Sequence, residues 1–335
     1  MKLFKDKKIF LLSFLFLSSC IEDAPLDSLS PAGPYARSID ELFWLTFWIA
    51  VGVFAIVQGA LLFSVFYFKE RESSPEPKQI HGNNFLEILW TIIPVLILAV
   101  IAVPTVRTIF DLAREPEDAL KIEVIGHQWW FEYKYPDFGI TTANVLVIPE
   151  DRPVRLEMWS NDVLHNYWVP KLNGKRYLVP GQTTYLNLQA DSPEEFWAQC
   201  GEYCGLSHSK MRGRVISMTE EDFASWVVNE QSYAQKELPE SSLAAEGQVV
   251  YLNAGCTQCH VIDGVWDVQG DRIAPNLTHF ANRSVFAGAA LKNNPENLTK
   301  WLANPAEIKP GTFMPNLELT EKEINALIAY LGTLK

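Results

Sequence analysis

Between Cys200 and Met211 the chain reads Cys-Gly-Glu-Tyr-Cys-Gly-Leu-Ser-His-Ser-Lys-Met, which places two thiols, an imidazole and a thioether within 12 residues. Thiolate and thioether sulfurs are soft ligands, and with imidazole they select copper over hard cations. Two cysteines four apart, followed at similar intervals by His208 and Met211, suit an arch over a pair of metal ions rather than one. A second imidazole comes from His165, in Asn161-Asp-Val-Leu-His-Asn-Tyr-Trp-Val-Pro. The alternative is a structural zinc staple of two Cys and two His, but zinc has little use for Met211. A second signature is Cys256-Thr-Gln-Cys-His260, the attachment signal for a c-type haem. Both cysteines would form thioether bonds and His260 would be the proximal iron ligand. A thioredoxin-like redox pair would need neither that histidine nor Met314, in Lys309-Pro-Gly-Thr-Phe-Met-Pro. Methionine opposite histidine raises the potential of haem iron and suits it to carry electrons.

These ligands need supports, and 335 residues leave room for two or three domains. A membrane anchor comes first. Leu42 to Phe68 carries no charge, and neither does Ile88 to Val106, which lies between Glu87 and Arg107. Each approaches or exceeds the roughly 20 helical residues that span a bilayer. Pro94 and Pro104 are compatible with such a helix, because neighbouring helices re-satisfy the freed backbone groups. Spans are expected at 42–68 and 85–110, joined by a cytoplasmic loop at 69–84. The loop holds Lys69, Arg71 and Lys78, against Arg37 alone in the periplasmic segment 20–41. That bias keeps the loop inside and exports everything after about residue 110. The N-terminus requires the same orientation: Lys2, Lys5, Lys7 and Lys8 precede an apolar run from Ile9 to Leu17, the pattern of a signal peptide over 1–19. It ends in Leu-Ser-Ser-Cys, similar to a bacterial lipobox, which would make Cys20 a lipidated first residue. An ordinary signal cut nearby would leave Cys20 incidental.

In the exported half, Leu120–Val124, Asn144–Ile148, Val154–Trp159 and Thr184–Leu188 read as strands, rich in β-branched, aromatic or leucine residues between Gly, Pro, Asn and Asp clusters. Residues 116–219 are thus expected to form a cupredoxin-like β-sandwich or Greek-key barrel. His165 would follow one strand, and Cys200–Met211 would be the loop joining the last two. Ligands on loops held by a rigid sandwich give a metal a nearly fixed geometry. Residues 220–242 turn acidic and polar, a linker in which Thr219 starts a short helix. In 243–335, helices at Leu243–Asn253 and Glu321–Leu334 bracket the haem signal, the latter apolar at Ile324, Leu327, Ile328 and Leu331. That is the build of an all-α class I cytochrome c. The net charge of −12 argues against a nucleic-acid partner, which needs a basic face. The five cysteines, at 20, 200, 204, 256 and 259, each have an assignment, so no disulfide framework is invoked.

With these residues in hand the chain resembles subunit II of the haem–copper cytochrome c oxidases, in the bacterial caa-type form with a cytochrome c fused at its C-terminus. The likeness runs from about residue 40 to the end. Beside the copper loop it rests on Gly126-His-Gln-Trp-Trp-Phe-Glu-Tyr and on Leu86-Glu-Ile-Leu-Trp-Thr-Ile-Ile-Pro94. The resemblance implies a binuclear CuA centre with Cys200 and Cys204 as bridging thiolates, His165 and His208 as terminal ligands, Met211 as a weak ligand and the Glu202 carbonyl as the sixth contact. It implies that the Glu202 side chain reaches a magnesium ion at the subunit I interface. Trp129 falls where the family accepts electrons from cytochrome c, although an aromatic packed under the sandwich would look the same. Trp130 reads as packing. Intramembrane carboxylates are functional candidates, and the resemblance implies the mouth of a proton pathway at Glu87; a carboxylate that only marks the membrane boundary is the alternative. His81, His127 and His279 read as structural or surface residues.

The implied partners are oxidase subunits I and III in the bacterial inner membrane, with cytochrome c or a quinol–cytochrome c reductase as donor and oxygen reduced in subunit I. The exported domains would stand on the periplasmic face. One stretch departs from the family: Lys175-Arg-Tyr-Leu-Val-Pro-Gly-Gln182 lacks the acidic residue usual near Tyr177 and has glutamine for the usual arginine. A CuA-bearing subunit of a nitric oxide reductase, or an anchored carrier with no oxidase partner, would share the metals. The chain itself has no nucleophile–base pair and no phosphate loop, so its own chemistry is electron relay.

Overall fold

The computed structural model describes residues 24–70, 79–232, 238–264 and 273–335. Cys20, Arg71 and Lys78 lie outside the described residues, and with them the lipidation site and most of the loop charge.

Two long helices open the chain, α1 at Pro34–Tyr67 and α2 at Asn84–Ala113. Both are apolar and solvent-facing, and both are long enough to cross a membrane. The first begins eight residues before the uncharged run at Leu42, because Pro34 at its first turn pre-sets the helical φ. Its polar first turns belong to the exported side. Arg37 there forms a bidentate pair with Asp191, with Nη2 2.9 Å from Oδ1. Ala32 donates to the Lys171 carbonyl at 2.8 Å and accepts from Asp191 N at 3.0 Å. At the other end of the hairpin, the terminal carbonyls of α2 are capped from the sandwich. Asn187 Nδ2 donates to Leu112 O at 3.0 Å and to Arg114 O at 2.8 Å. Carbonyls at a helix end lack intrahelical partners, so this cap fixes how the hairpin enters the exported domain.

That domain is a sandwich of two five-stranded sheets. The strands are β1 Leu120–His127, β2 Trp130–Tyr135, β3 Ile140–Ala143, β4 Val145–Pro149 and β5 Val154–Ser160. They continue as β6 His165–Trp168, β7 Lys175–Leu178, β8 Thr184–Leu188, β9 Glu195–Cys200 and β10 Arg212–Met218. Their spatial order is β3-β2-β1-β5-β8 in one sheet and β4-β10-β9-β6-β7 in the other. The β1–β5 and β4–β10 pairs are parallel, so both sheets are mixed and the chain crosses between them. His165 follows β5, as expected, and is also the first residue of β6. The β9–β10 connection is Gly201–Met211, the loop expected from the sequence.

Helix α3, Glu220–Glu230, occupies the first part of the acidic stretch. Thr219 caps it by accepting from Asp222 N at 3.1 Å, and Phe223 and Val227 join the sandwich core. The C-terminal unit follows with α4 Leu243–Asn253, β11 Val285–Phe286, β12 Leu291–Lys292, α5 Pro295–Ala303, α6 Pro305–Ile308 and α7 Glu321–Leu331. Helix α7 stops three residues short of the expected Leu334, and Ile324, Leu327 and Leu331 on its apolar face are buried. Helices α4 and α7 cross at Gly247. A Cβ there would strike the Ala326 carbonyl and lie 2.8 Å from Tyr330 Cβ.

Gly247→Ala is therefore expected to destabilise the C-terminal unit by about 1–3 kcal/mol, the usual cost of overpacking. Denaturant titration followed by haem absorbance should show a lower midpoint for that unit, with the sandwich transition in place.

Candidate metal and haem sites

Register brings the sulfur and imidazole groups together. The β6–β9 pairing sets Tyr167 opposite Cys200, which puts the first strand residue of β6, His165, beside the end of β9. Cys200 N donates to Met211 O at 3.0 Å and closes the base of the loop. The two sulfurs stand 3.8 Å apart. Around Cys200 Sγ are His165 Nδ1 at 4.0 Å and the Glu202 carbonyl at 3.3 Å. Around Cys204 Sγ are His208 Nδ1 at 3.6 Å and Met211 Sδ at 3.8 Å. Cys200, Cys204, His165 and Met211 are all buried. With metal–sulfur bonds of about 2.3 Å, sulfurs 3.8 Å apart subtend roughly a tetrahedral angle at an ion bridging them. The donor set fits soft metal ions without rearrangement.

Electrostatics in the loop follow from that proximity. The hydrogen bond from Cys204 pulls the Cys200 thiol down to about 4, while the same bond and burial push Cys204 upward. The pair thus shares one proton, and a metal must displace it.

Residues outside the ligand motif hold the ligands in place. His165 Nε2 donates to Asp162 Oδ1 at 2.7 Å, which leaves Nδ1 bare toward the thiols. Burial opposes ionisation of Asp162, but hydrogen bonds from His165, Val163 N and Gln128 N prevail and hold it below the usual carboxylate range. Asp162 was not legible as a support, although it lies three residues before the ligand. Gly126 of β1 lies under the imidazole, where a Cβ would come 2.7 Å from His165 Cδ2. The next residues of that motif reach the loop from the other side. Gln128 Nε2 and Trp129 Nε1 both donate to the Cys204 carbonyl, at 2.7 and 3.0 Å. His127 and Trp130 stack with ring centroids 4.3 Å apart, and His127 Nε2 pairs with Glu132 at 3.0 Å, a packed aromatic pair. The Glu202 side chain meets the Tyr177 hydroxyl, whose pKa the carboxylate raises.

In the C-terminal unit Cys256 and Cys259 flank a single turn of 3-10 helix, and His260 follows. His260 Nδ1 donates to the Pro275 carbonyl at 2.8 Å, leaving Nε2 as the free ligand atom. Burial keeps that imidazole neutral, and burial raises the Cys256 thiol to about 11. Met314 and Cys256 pack against one hydrophobic cluster, built on Tyr251, Ile262, Leu277 and Leu327. Among the described residues, neither ring nitrogen of buried His279 nor Nε of Arg283 has a hydrogen-bond partner. An apolar cluster reached by both Cys256 and Met314 suits a large flat ring held between them.

The two units meet at Trp129. It is 5% exposed, and Gly311 lies against it: a Cβ on Gly311 would come 2.7 Å from Trp129 Cη2. Gly311 also has φ of 80°, so glycine is required twice over. Ser207 Oγ donates to Pro310 O at 2.7 Å, and Arg212 N to Gly288 O at 2.8 Å. Lys210 Nζ donates to Ile308 O, and Lys309 Nζ to Trp129 O. Burial lowers the Lys309 ammonium to about 7. On α3, burial raises the carboxyl of Glu230, which faces His279 and Arg283. Far from this seam, Glu87 sits in the first turn of α2 and accepts from Asn83 N at 3.3 Å. His81 is exposed, and His279 is buried.

Known families cover these units in turn. Residues 27–108 match the transmembrane domain of cytochrome c oxidase subunit II, residues 139–218 its periplasmic domain, and residues 244–335 cytochrome c. Cytochrome c oxidase subunit 2 of Alkalihalophilus pseudofirmus is 38% identical over 347 aligned residues, covering 100% of this chain and 99% of that one. The same subunit of Bacillus subtilis is 34% identical, over 96% of this chain and 95% of its own. Among solved structures, the periplasmic domain of subunit II from Bradyrhizobium japonicum is 25% identical and covers 36% of this chain and 97% of its own, with a TM-score of 0.34. Copper and haem, in general, follow from these families, as does a membrane anchor. The chain belongs to the cytochrome c oxidase subunit II family, with a cytochrome c domain joined to its C-terminal end.

Proposed function

We propose that this subunit is the electron-input arm of a proton-pumping terminal oxidase in the bacterial inner membrane. It takes electrons at a covalent haem and delivers them through a binuclear copper centre to subunit I. The observation that carries the copper assignment is the division of the donors into two sets, one about each thiol. A zinc staple would gather four ligands about one point, whereas here each cysteine has its own imidazole. Cys200, Cys204, His165, His208, Met211 and the Glu202 carbonyl would together hold the two coppers. Such a pair supplies one-electron storage with the charge change spread over two ions.

The chain's own residues prepare and connect that centre. Burial keeps water from the thiols, and Asp162 fixes the His165 tautomer. Cys256 and Cys259 would hold the haem, with His260 Nε2 and Met314 as its axial ligands. Met314 lies three residues from Gly311, which touches Trp129, whose indole N–H is bonded to the Cys204 carbonyl. The Gly311–Trp129 contact and the Trp129–Cys204 hydrogen bond support Trp129 as the point where electrons enter the copper centre.

The same reading gives the membrane side its roles. The hairpin would dock with subunits I and III, and Glu87 would mark the mouth of a proton pathway. The Glu202 carboxylate would offer a ligand to magnesium at the subunit I interface, where Tyr177 now holds it. Cys20 would carry the lipid. Cytochrome c or a quinol–cytochrome c reductase would supply the electrons.

Reducing the purified membrane complex with ascorbate and a mediator tests the reading as a whole. Oxygen uptake and haem a are expected; a chain that copurifies with neither is not an oxidase subunit. Cys204→Ser should abolish the hyperfine pattern of one electron shared by two copper nuclei while leaving the haem c bands. Asp162→Ala should weaken copper binding about 10–100-fold, the usual loss when a supporting hydrogen bond to a ligand is removed. Gly126→Ala should shift the copper spectrum by displacing His165. Unchanged spectra and copper content in both variants would show that neither residue positions the ligand.

A further inference from the structure

The seam between the copper loop and the haem unit carries an arrangement that the ligand motifs do not require. Two lysines cross it in opposite directions. Lys210, from the copper loop, donates to the Ile308 carbonyl of the haem unit. Lys309, the next residue of the haem unit, donates back to the Trp129 carbonyl and, at 3.0 Å, to Ala287 O. Lys309 is 3% exposed. A buried ammonium costs several kcal/mol in lost hydration unless something offsets it. Here the offsetting groups are backbone carbonyls from both sides of the seam.

The backbone around the lysines is shaped to receive them. Ala287, Gly288 and Ala289 all have positive φ, at 54°, 72° and 53°, a run that non-glycine residues rarely adopt. That turn points the Ala287 carbonyl at Lys309 and the Gly288 carbonyl at Arg212 N. A Cβ on Gly288 would come 2.6 Å from Trp129 O and 2.8 Å from Lys210 O. Strained backbone persists where surrounding contacts determine it. Val285 and Ala289, flanking the turn, join the hydrophobic core of the sandwich rather than that of their own unit.

We propose that Lys309 and Lys210 form a clasp that seats the haem unit over Trp129, and that this seat closes Trp129 to any soluble protein donor. Both lysines are positioning residues. They hold Gly311, three residues before Met314, against the indole ring. The copper centre then accepts electrons only from the tethered haem, and an external donor reacts with the haem unit instead. In that transfer one electron leaves ferrous haem and reduces the oxidised copper pair; no atom or proton moves with it. The proposal rests on Trp129 as the entry point, and its test separates the two ideas.

The purified oxidase is mixed with a ruthenium-labelled soluble cytochrome c, and a flash starts reduction. In the unaltered enzyme the fused haem is reduced first and copper follows. With Lys309→Met and Lys210→Met together, loss of the two charge-assisted hydrogen bonds that cross the seam should slow haem-to-copper transfer by about tenfold or more. Copper should then also be reduced directly by the soluble donor, while both absorption spectra keep their positions. Pulsed EPR should report a broadened haem–copper distance in this variant alone. Copper reduced ahead of the fused haem in the unaltered enzyme, or an unchanged order, rate and distance in the variant, overturns the clasp. Trp129→Phe separates the premise: fast transfer there removes the tryptophan route but leaves the distance measurement to judge the lysines. Should the double variant fail to assemble, Lys210→Met alone, at a half-buried position, carries the same three measurements.

Discussion

Two sulfur atoms 3.8 Å apart in a dry interior are the constraint on which the rest of this subunit depends. Without metal the pair cannot be doubly ionised, because one thiolate so close to another raises the cost of the second charge. The fold accepts that tension and surrounds it with soft donors. A one-residue slip of β9 against β6 would turn Cys200 to the opposite face of the sheet. The pairing of Tyr167 with Cys200, and the Cys200 N–Met211 O bond at the loop base, therefore act as metal-site geometry as much as sheet geometry. The membrane hairpin is tied into the same scaffold through Asn187 and Asp191.

What the sequence made legible was chemistry written in ligand spacing. The donors of Cys200–Met211 converge with His165, and the cytochrome c attachment motif falls within a cytochrome c unit. Strand β8 and helix α4 lie at the bounds read from the sequence, Thr184–Leu188 and Leu243–Asn253. Strand β2 carries its own signal, since aromatic and charged residues alternate from Phe131 to Tyr135, although Glu132 is buried with its neighbours. Strand β7, largely exposed and basic, gave no apolar signal. Helix α1 starts early because its first turns are fixed by tertiary contact with the sandwich, which hydropathy does not register.

The supporting residues were harder to see because their signal is spatial. Asp162 is one acid among many until His165 turns its ring toward it. Lys309 and Lys210 look like surface lysines in sequence, and one of them is buried between two domains. The departure at Tyr177 has a related answer: the phenol itself occupies the Glu202 carboxylate, so the missing acid of that stretch does not leave the segment without a polar partner.

The Cys204 carbonyl shows why fusing the two units changes more than donor supply. It is a backbone atom of a residue proposed to ligate copper, and it accepts from both Gln128 and Trp129. Motion of the indole is therefore felt at the ligand. A transient protein donor at Trp129 would perturb that bond at each encounter. A covalently joined donor, packed at Gly311 and Gly288, holds the indole in one place through successive turnovers. A buried interface also excludes water from around the indole, which lowers the local dielectric and strengthens the N–H bond to Cys204. On the proposed route, fusion would stiffen the acceptor as well as supply the electron, and that stiffness would originate in residues that ligate nothing.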